Sequence, residues 1–239
     1  SEYNNEYNIT NYELSNIIYT SGTSGKPKGV ILSHNNLLSN IDSIKIRFKD
    51  FDHIENMKCL NILPWAHIYS LNTELYYNLL NENQIALSTG PENFINEIRE
   101  INPHTLYLVP RVLEEIKKKL DKFDIVLVRK LIPIILKKLF GENLITIFMG
   151  GAKLSTNVRE FYEKNNINIC EGYGCTETSP MVSVNHISSP RDVDSIGKIL
   201  DNVIVEIIDG EICVSGENVM SGYWNNEEDT NKVLIKKDN

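Results

Sequence analysis

The stretch Tyr19 to Val30, YTSGTSGKPKGV, limits what this chain can fold into more than any other part of it. A short apolar run, Ile17 to Thr20, leads into a loop in which Ser and Thr alternate with Gly22, Gly25 and Gly29, and a second apolar run, Gly29 to Ser33, leads out. Glycines let consecutive backbone N–H groups turn toward one anion. The hydroxyls of Ser21, Thr23 and Ser24 add donors, and Lys26 and Lys28 add charge, so the loop suits a phosphate. Gly, Ser and Pro also gather in ordinary polar turns between strands, but so long a run in this order is more than a turn requires. A Walker loop is excluded, because there Gly-Lys is followed by Ser or Thr at a helix start. Here Lys26 is followed by Pro27, which has no N–H to donate, and then by a strand. The phosphate site is therefore expected between two strands.

Composition removes several alternatives. With 239 residues and 41% hydrophobic content the chain can bury a real core as one large domain or two small ones. A net charge of −8 argues against general affinity for nucleic acid while leaving room for a locally basic site. Cys59, Cys170, Cys175 and Cys213 form no C-x-x-C pair and have no His at zinc-ligand spacing. They read as reduced buried thiols, which points to a cytoplasmic setting. No apolar run reaches the roughly 18 residues of a membrane span, and the first residues, SEYNNEYN, do not read as a signal peptide. Heavy use of Asn, Ile and Lys reads as compositional bias that lengthens loops.

Periodicity places the remaining elements. Residues 1–16 read as a polar, irregular lead-in. Ser33 reads as the N-cap of an amphipathic helix, His34 to Phe48. Strands are expected at Cys59 to Leu63, Gln84 to Ser88, Thr105 to Val109, Leu144 to Met149 and Ile167 to Glu171. Helices are expected at Ala66 to Leu80, Pro91 to Ile101, Pro110 to Leu120, Leu131 to Phe140 and Thr156 to Asn165. Short buried strands alternating with helices predict an α/β domain with a mostly parallel sheet over 17–180. Beyond Pro180, short β-branched runs joined by turns such as Asp209-Gly210 predict a β-rich antiparallel subdomain over 181–239.

Four further strings bear on chemistry. LPWAHIYS, Leu63 to Ser70, puts His67 just after a buried strand, near the strand end where open α/β sheets bind ligands; a lone His is as often a core or surface residue. TLYLVPRVLEEI, Thr105 to Ile116, reads as a strand running into a helix. MGGAKLS, Met149 to Ser155, carries paired glycines that let a flat base approach the backbone, or that serve a tight strand-to-helix turn. EGYGCTETSP, Glu171 to Pro180, offers an aromatic face at Tyr173, a hydroxyl at Thr176 and a carboxylate at Glu177. A carboxylate beside a polyphosphate makes sense if it ligates Mg²⁺, which prefers oxygen ligands and bridges carboxylate to phosphate.

Together these strings, in order, resemble the adenylate-forming superfamily: acyl-CoA synthetases, luciferases and peptide-synthetase adenylation domains. The segments SIGKILDNVIVEIID and GEICVSGENVMSGYWNNEEDT, read alone as β-structure, resemble its following hairpin region. The resemblance implies that ATP, Mg²⁺ and CoA are bound. It puts the phosphates on Thr20, Ser21, Gly22, Thr23, Ser24, Gly25, Lys26 and Lys28. It puts the metal on Thr20 and Glu177, the α-phosphate on Thr176, and the adenosine along Gly151, Ala152, Glu171, Gly172, Tyr173 and Gly174. His67 would lie between the acyl pocket and the phosphates. The implied catalytic set is Lys28, His67, Thr176 and Glu177. In the implied reaction a carboxylate attacks the α-phosphorus of ATP, releasing pyrophosphate, and CoA thiol then displaces AMP from the acyl-adenylate.

The forms of LPWAHIYS, VPRV and EGYGCTETSP look most like long-chain acyl-CoA synthetases, so a long-chain fatty acid is the expected substrate. An aryl or medium-chain CoA ligase, a fatty acyl-AMP ligase, or a nucleotide-binding module without catalysis are the alternatives. Leu71 stands where some bacterial long-chain enzymes carry a gating Trp, and the interval between VPRV and MGGAKLS looks short for eukaryotic ones. The family's ribose-binding Asp, hinge and Lys-bearing C-terminal domain are not in this sequence, nor is the part expected before Tyr19. The chain reads as an internal fragment, weak or inactive alone. The whole protein is expected in the cytoplasm or peripheral to an internal membrane such as the endoplasmic reticulum, with the Leu131 to Phe140 helix and its Lys137 and Lys138 as the one feature favouring lipid contact.

Overall fold

The computed structural model describes residues 10–21, 26–51, 54–122, 126–188, 192 and 194–235, apart from the side chains of 21 and 126–129. The chain opens with the antiparallel pair β1 (Leu14–Ser21) and β2 (Pro27–Ser33), which brackets the Gly-rich loop. Residues 14–16, expected in the lead-in, belong to β1, because Leu14 and Asn16 pair with Ser33 and Leu32. Ser33 caps α1 (His34–Arg47): its hydroxyl accepts from the Asn36 N–H, and the Asn36 side chain accepts in return from the Ser33 N–H.

An alternating series follows. It runs β3 (Lys58–Asn61), α2 (Ile68–Ser70), a π-helical turn (Leu71–Tyr76), α3 (Tyr77–Leu80), β4 (Gln84–Leu87), α4 (Phe94–Ile101), β5 (Thr105–Leu108), α5 (Pro110–Asp121), α6 (Val126–Phe140), β6 (Thr146–Met149), α7 (Thr156–Lys164) and β7 (Ile169–Gly174). After a 3₁₀ turn, Thr176–Thr178, come β8 (Met181–Val184), β9 (Lys198–Ile199), β10 (Val203–Ile208), β11 (Glu211–Gly216), β12 (Gly222–Tyr223) and α8 (Glu227–Val233).

A seven-stranded sheet runs β4-β3-β5-β6-β7-β8-β9, parallel from β4 through β7 and antiparallel from β7 to β9. It is the α/β fold that the alternation predicts. Beyond Pro180 the antiparallel texture also holds, in the β10–β11 pair turning at Asp209 and Gly210, both at positive φ. The change of texture is not a change of sheet, since β8 and β9 continue the large sheet and β12 joins β2 of the first. Helix α8 falls where the sequence suggests β-structure. Its signal is present in Asn226, whose side chain accepts from the Asp229 N–H, and in the acidic first turn Glu227 to Asp229.

Apolar residues fill both faces of the large sheet. On one, Leu106, Leu108 and Ile147 pack against Ile98, Leu113, Leu136 and Tyr162; on the other, Val182, Val184 and Leu200 pack against Ile41, Ile44 and Phe48. A third cluster joins Ile18, Val30 and Leu32 of the hairpin to Leu37, Ile68, Leu71, Met220 and Tyr223.

Buried asparagines fix these layers to one another. Asn40, fully buried, donates to the Met181 carbonyl (2.7 Å) and accepts from the Met181 N–H (3.3 Å). Asn36 donates to the Glu217 and Val219 carbonyls at 2.7 and 2.9 Å. Asn72 donates to the Ser179 carbonyl at 2.6 Å, and Asn218 to the Thr178 carbonyl at 2.9 Å. The asparagine bias that the sequence presents as loop filler therefore includes the pins that hold the 3₁₀ turn in place.

Candidate active site

The β1–β2 register fixes what faces inward. Side chains alternate across a strand, and Ile18 pairs with Val30 and Thr20 with Lys28. Ile18 and Val30 are buried in the third cluster, so Thr20 and Lys28 prolong that inward face toward the loop. Lys26 is exposed at its mouth. Gly22, Thr23, Ser24, Gly25 and the Ser21 side chain lie outside the described residues.

β12 adds to β2 with Tyr223 opposite Val30, which brings a segment distant in sequence beside the hairpin. The Tyr223 hydroxyl donates to Glu177 Oε1 at 2.8 Å. The Met220 N–H donates to the Glu177 carbonyl, also at 2.8 Å. The Lys28 ammonium sits 5.1 Å from the centre of the same Tyr223 ring and pairs with Asp229 at 2.9 Å. Glu177 and Lys28, far apart in sequence, thus flank one aromatic ring. Burial, and then the Glu177 carboxylate, push the Tyr223 hydroxyl up, so it remains a donor at neutral pH. Lys28, with two further partners, holds the Asp229 carboxyl down to about 2.

The adjacent parallel ends of β6 and β7 supply a second wall. Gly151 (φ 82°) and Ala152 are exposed there, next to Gly172, Gly174 and the exposed ring of Tyr173. A Cβ on Gly174 would fall 1.7 Å from the Pro180 carbonyl oxygen, so the chain can double back here only through glycine. Glu171 is turned inward and buried. Its carboxylate accepts from the Leu154 N–H (3.0 Å) and from Arg159 (3.2 Å), which ties the Gly-Gly-Ala turn to β7. Its side chain thus has a clear internal task, holding that turn in place. Arg159 also pairs with Asp194. Thr176 and Glu177 are half-buried on the 3₁₀ turn that follows.

His67 is exposed at the N-terminus of α2, beyond the C-terminal end of β3, as expected from its place after a buried strand. Its neighbour Ile68 packs in the cluster that holds Tyr223. Further on, the π-helical turn carries Glu74, fully buried, with one oxygen accepting from Asn61 at 2.6 Å. Burial pushes this carboxyl up to about 8, against the hydrogen bond from Asn61. Nothing in the periodicity of 66–80 marks Glu74; a carboxylate within an apolar helical run is the available signal. Two small cavities, each of about 10 Å³, lie behind this helix and share Phe48, Tyr77, Tyr107 and Phe148; Tyr69 and Thr73 line one of them.

Of the four cysteines, Cys59 and Cys170 are buried as expected, whereas Cys175 is exposed and Cys213 half-buried; none is in a disulfide. Cys175 directly follows Gly174 at the end of β7, and Cys213 lies on β11, of which only the middle is partly covered, through Val214. Among the described residues no group of three His, Cys, Asp or Glu could hold a metal, and no helix is long and apolar enough to cross a membrane.

The basic hairpin and the ends of β6 and β7 thus both border the 3₁₀ turn that carries Glu177, at one edge of an α/β fold. The model of the AMP-binding enzyme family matches residues 4–224, and the chain belongs to that family. It is 31% identical to a probable 4-coumarate–CoA ligase of Dictyostelium discoideum over 92% of this chain and 40% of that protein. It is 28% identical to a long-chain-fatty-acid–CoA ligase of Salmonella typhimurium over 93% of this chain and 40% of that protein. The fold superposes on O-succinylbenzoate coenzyme A synthetase of Bacillus subtilis in complex with AMP with a TM-score of 0.74 at 22% identity, covering 95% of this chain and 45% of that one. The chain thus spans 40% of the length of each of the two ligases.

Proposed function

We propose that this chain forms the nucleotide-gripping part of an AMP-forming acid–CoA ligase, with a long-chain fatty acid as the acid. The observation that carries the reading is the convergence of Glu177 and Lys28 on Tyr223, which gives a polyphosphate a cation on one side and a metal-binding carboxylate on the other. The residues fit a magnesium ion that arrives with ATP: a lone carboxylate suffices when phosphate oxygens and waters complete the shell. When bound, such an ion neutralises phosphate charge. The chain's own residues do the rest by position. Lys28 leaves Asp229 for the phosphates, Thr176 offers its hydroxyl to the α-phosphoryl group, and the Gly151–Ala152 turn and Tyr173 hold the base. The acid carboxylate forms a bond to the α-phosphorus as the bond to pyrophosphate breaks; thioester formation with CoA follows with loss of AMP.

An aryl acid is the second reading. It is favoured by the higher identity to the coumarate ligase. Acid-dependent exchange of labelled pyrophosphate into ATP by the full-length protein, run with palmitate, octanoate and 4-coumarate, separates the two. Exchange confined to 4-coumarate removes the fatty acid, and ATP binding with no exchange for any acid reduces the site to a binding module.

A further inference from the structure

Tyr223 is 8% exposed, and its ring has little freedom. Its N–H donates to Thr230 Oγ1 (2.9 Å), and that hydroxyl donates to the Asn226 carbonyl (2.7 Å), so β12 is bound to the first turns of α8. Gly222, at φ 144°, lies against the Thr230 side chain; a Cβ there would come within 2.9 Å of Thr230 Cγ2. On its other side β12 is paired with β2. The phenol is therefore delivered to Glu177 from a strand braced on both sides, onto a 3₁₀ turn whose backbone Asn218 and Met220 already hold, so that the Tyr223 hydroxyl acts on the Glu177 side chain rather than on the turn.

We propose that Tyr223 is the positioning residue for the phosphate-and-metal end of the site, acting on Glu177 through its hydroxyl and on Lys28 through its ring. The proposal rests on the reading that Glu177 and Lys28 face a magnesium-bound polyphosphate. A carboxylate that must present one oxygen to a small, geometrically strict cation gains from having its other oxygen fixed. The O–H of Tyr223 does this from within the protein and leaves the cation's coordination to Glu177 and the nucleotide. The ring beneath Lys28 keeps the ammonium beside the same point. Asp229, on the first turn of α8, is a resident anion whose carboxylate oxygens stand in for phosphate oxygens.

Tyr223→Phe removes the hydroxyl and keeps the ring. ATP binding to the chain, measured by calorimetry across a magnesium titration, reads the effect directly. The expected result is a magnesium midpoint raised about tenfold, with ATP affinity at saturating magnesium changed less than about twofold and the thermal midpoint preserved. Glu177→Gln is the companion variant. A raised midpoint in Glu177→Gln beside an unchanged one in Tyr223→Phe overturns the positioning role and leaves the functional reading standing. An unchanged midpoint in both overturns the reading and the inference together. Loss of ATP affinity in Tyr223→Phe at every magnesium concentration, with a lowered thermal midpoint, makes the phenol a merely structural prop and also overturns the proposal.

Discussion

The side-chain amide of Asn40 completes both hydrogen bonds of the Met181 backbone, N–H and C=O, across 141 residues of sequence. A helix that begins beside the Gly-rich hairpin is thereby fixed to the strand that follows Glu177. Replacing Asn40 by Ala leaves two buried backbone groups without partners, each costing about 1–3 kcal/mol. The expected loss is roughly 3 kcal/mol in urea unfolding, and a loss under about 1 kcal/mol would show that water or a shifted strand takes over.

The carboxylate of Glu177 is expected to matter for turnover more than for nucleotide affinity. In the full-length protein, Glu177→Ala should reduce pyrophosphate exchange on the order of 10²-fold, the usual scale for removing one preorganised charge-stabilising group. ATP binding at low magnesium should change much less. Unchanged exchange removes Glu177 from any metal role.

Arg159 and Glu171 form a buried pair, 3% and 4% exposed. Arg159→Met strands the Glu171 carboxylate and is expected to cost about 3–5 kcal/mol. The double variant Arg159→Met, Glu171→Leu should recover part of that stability, since no charge is then left buried, but not the Leu154 anchor. Denaturant midpoints of the three proteins test this.

The fully buried Glu74 gives the fold a pH dependence of definite sign. Its carboxyl keeps its proton up to about pH 8 in the folded state, against 4.5 for the ordinary group. The unfolded chain releases this proton first, so this group's contribution is whole below the ordinary value and is lost as pH rises toward the folded one, at up to about 1.4 kcal/mol per unit. Glu74→Gln should flatten the thermal midpoint between about pH 5 and 8. A slope identical to that of the unsubstituted protein would mean that the carboxyl ionises freely.

Much of this is legible in the sequence, for identifiable reasons. Strand and helix positions from β1 to α7 follow from strong apolar periodicity, and the Gly-rich loop and the Thr-Glu string mark the site because each uses residue types that a simple turn does not need. What stays hidden depends on distance. Asn40, Asn72 and Asn218 look like solvated polar residues until the backbone carbonyls they serve arrive from elsewhere in the chain. Tyr223 reads as one aromatic in a β-rich tail, and only the pairing of β12 with β2 brings it to Glu177. Helix α6 begins at Val126, ahead of the expected Leu131, because the helix tolerates Pro133 in its interior rather than starting near it.

The strand that seats Tyr223 is made long after its partner β2. During synthesis that side of β2 must therefore wait, unpaired, while the whole α/β body between them is translated and folded. A nascent chain halted before Gly222 would carry an open strand edge beside its basic hairpin and would be prone to pair with other chains. The meeting of Tyr223 with Glu177 and Lys28 is in this sense a late event, acquired only when the later segment folds back on the earlier one.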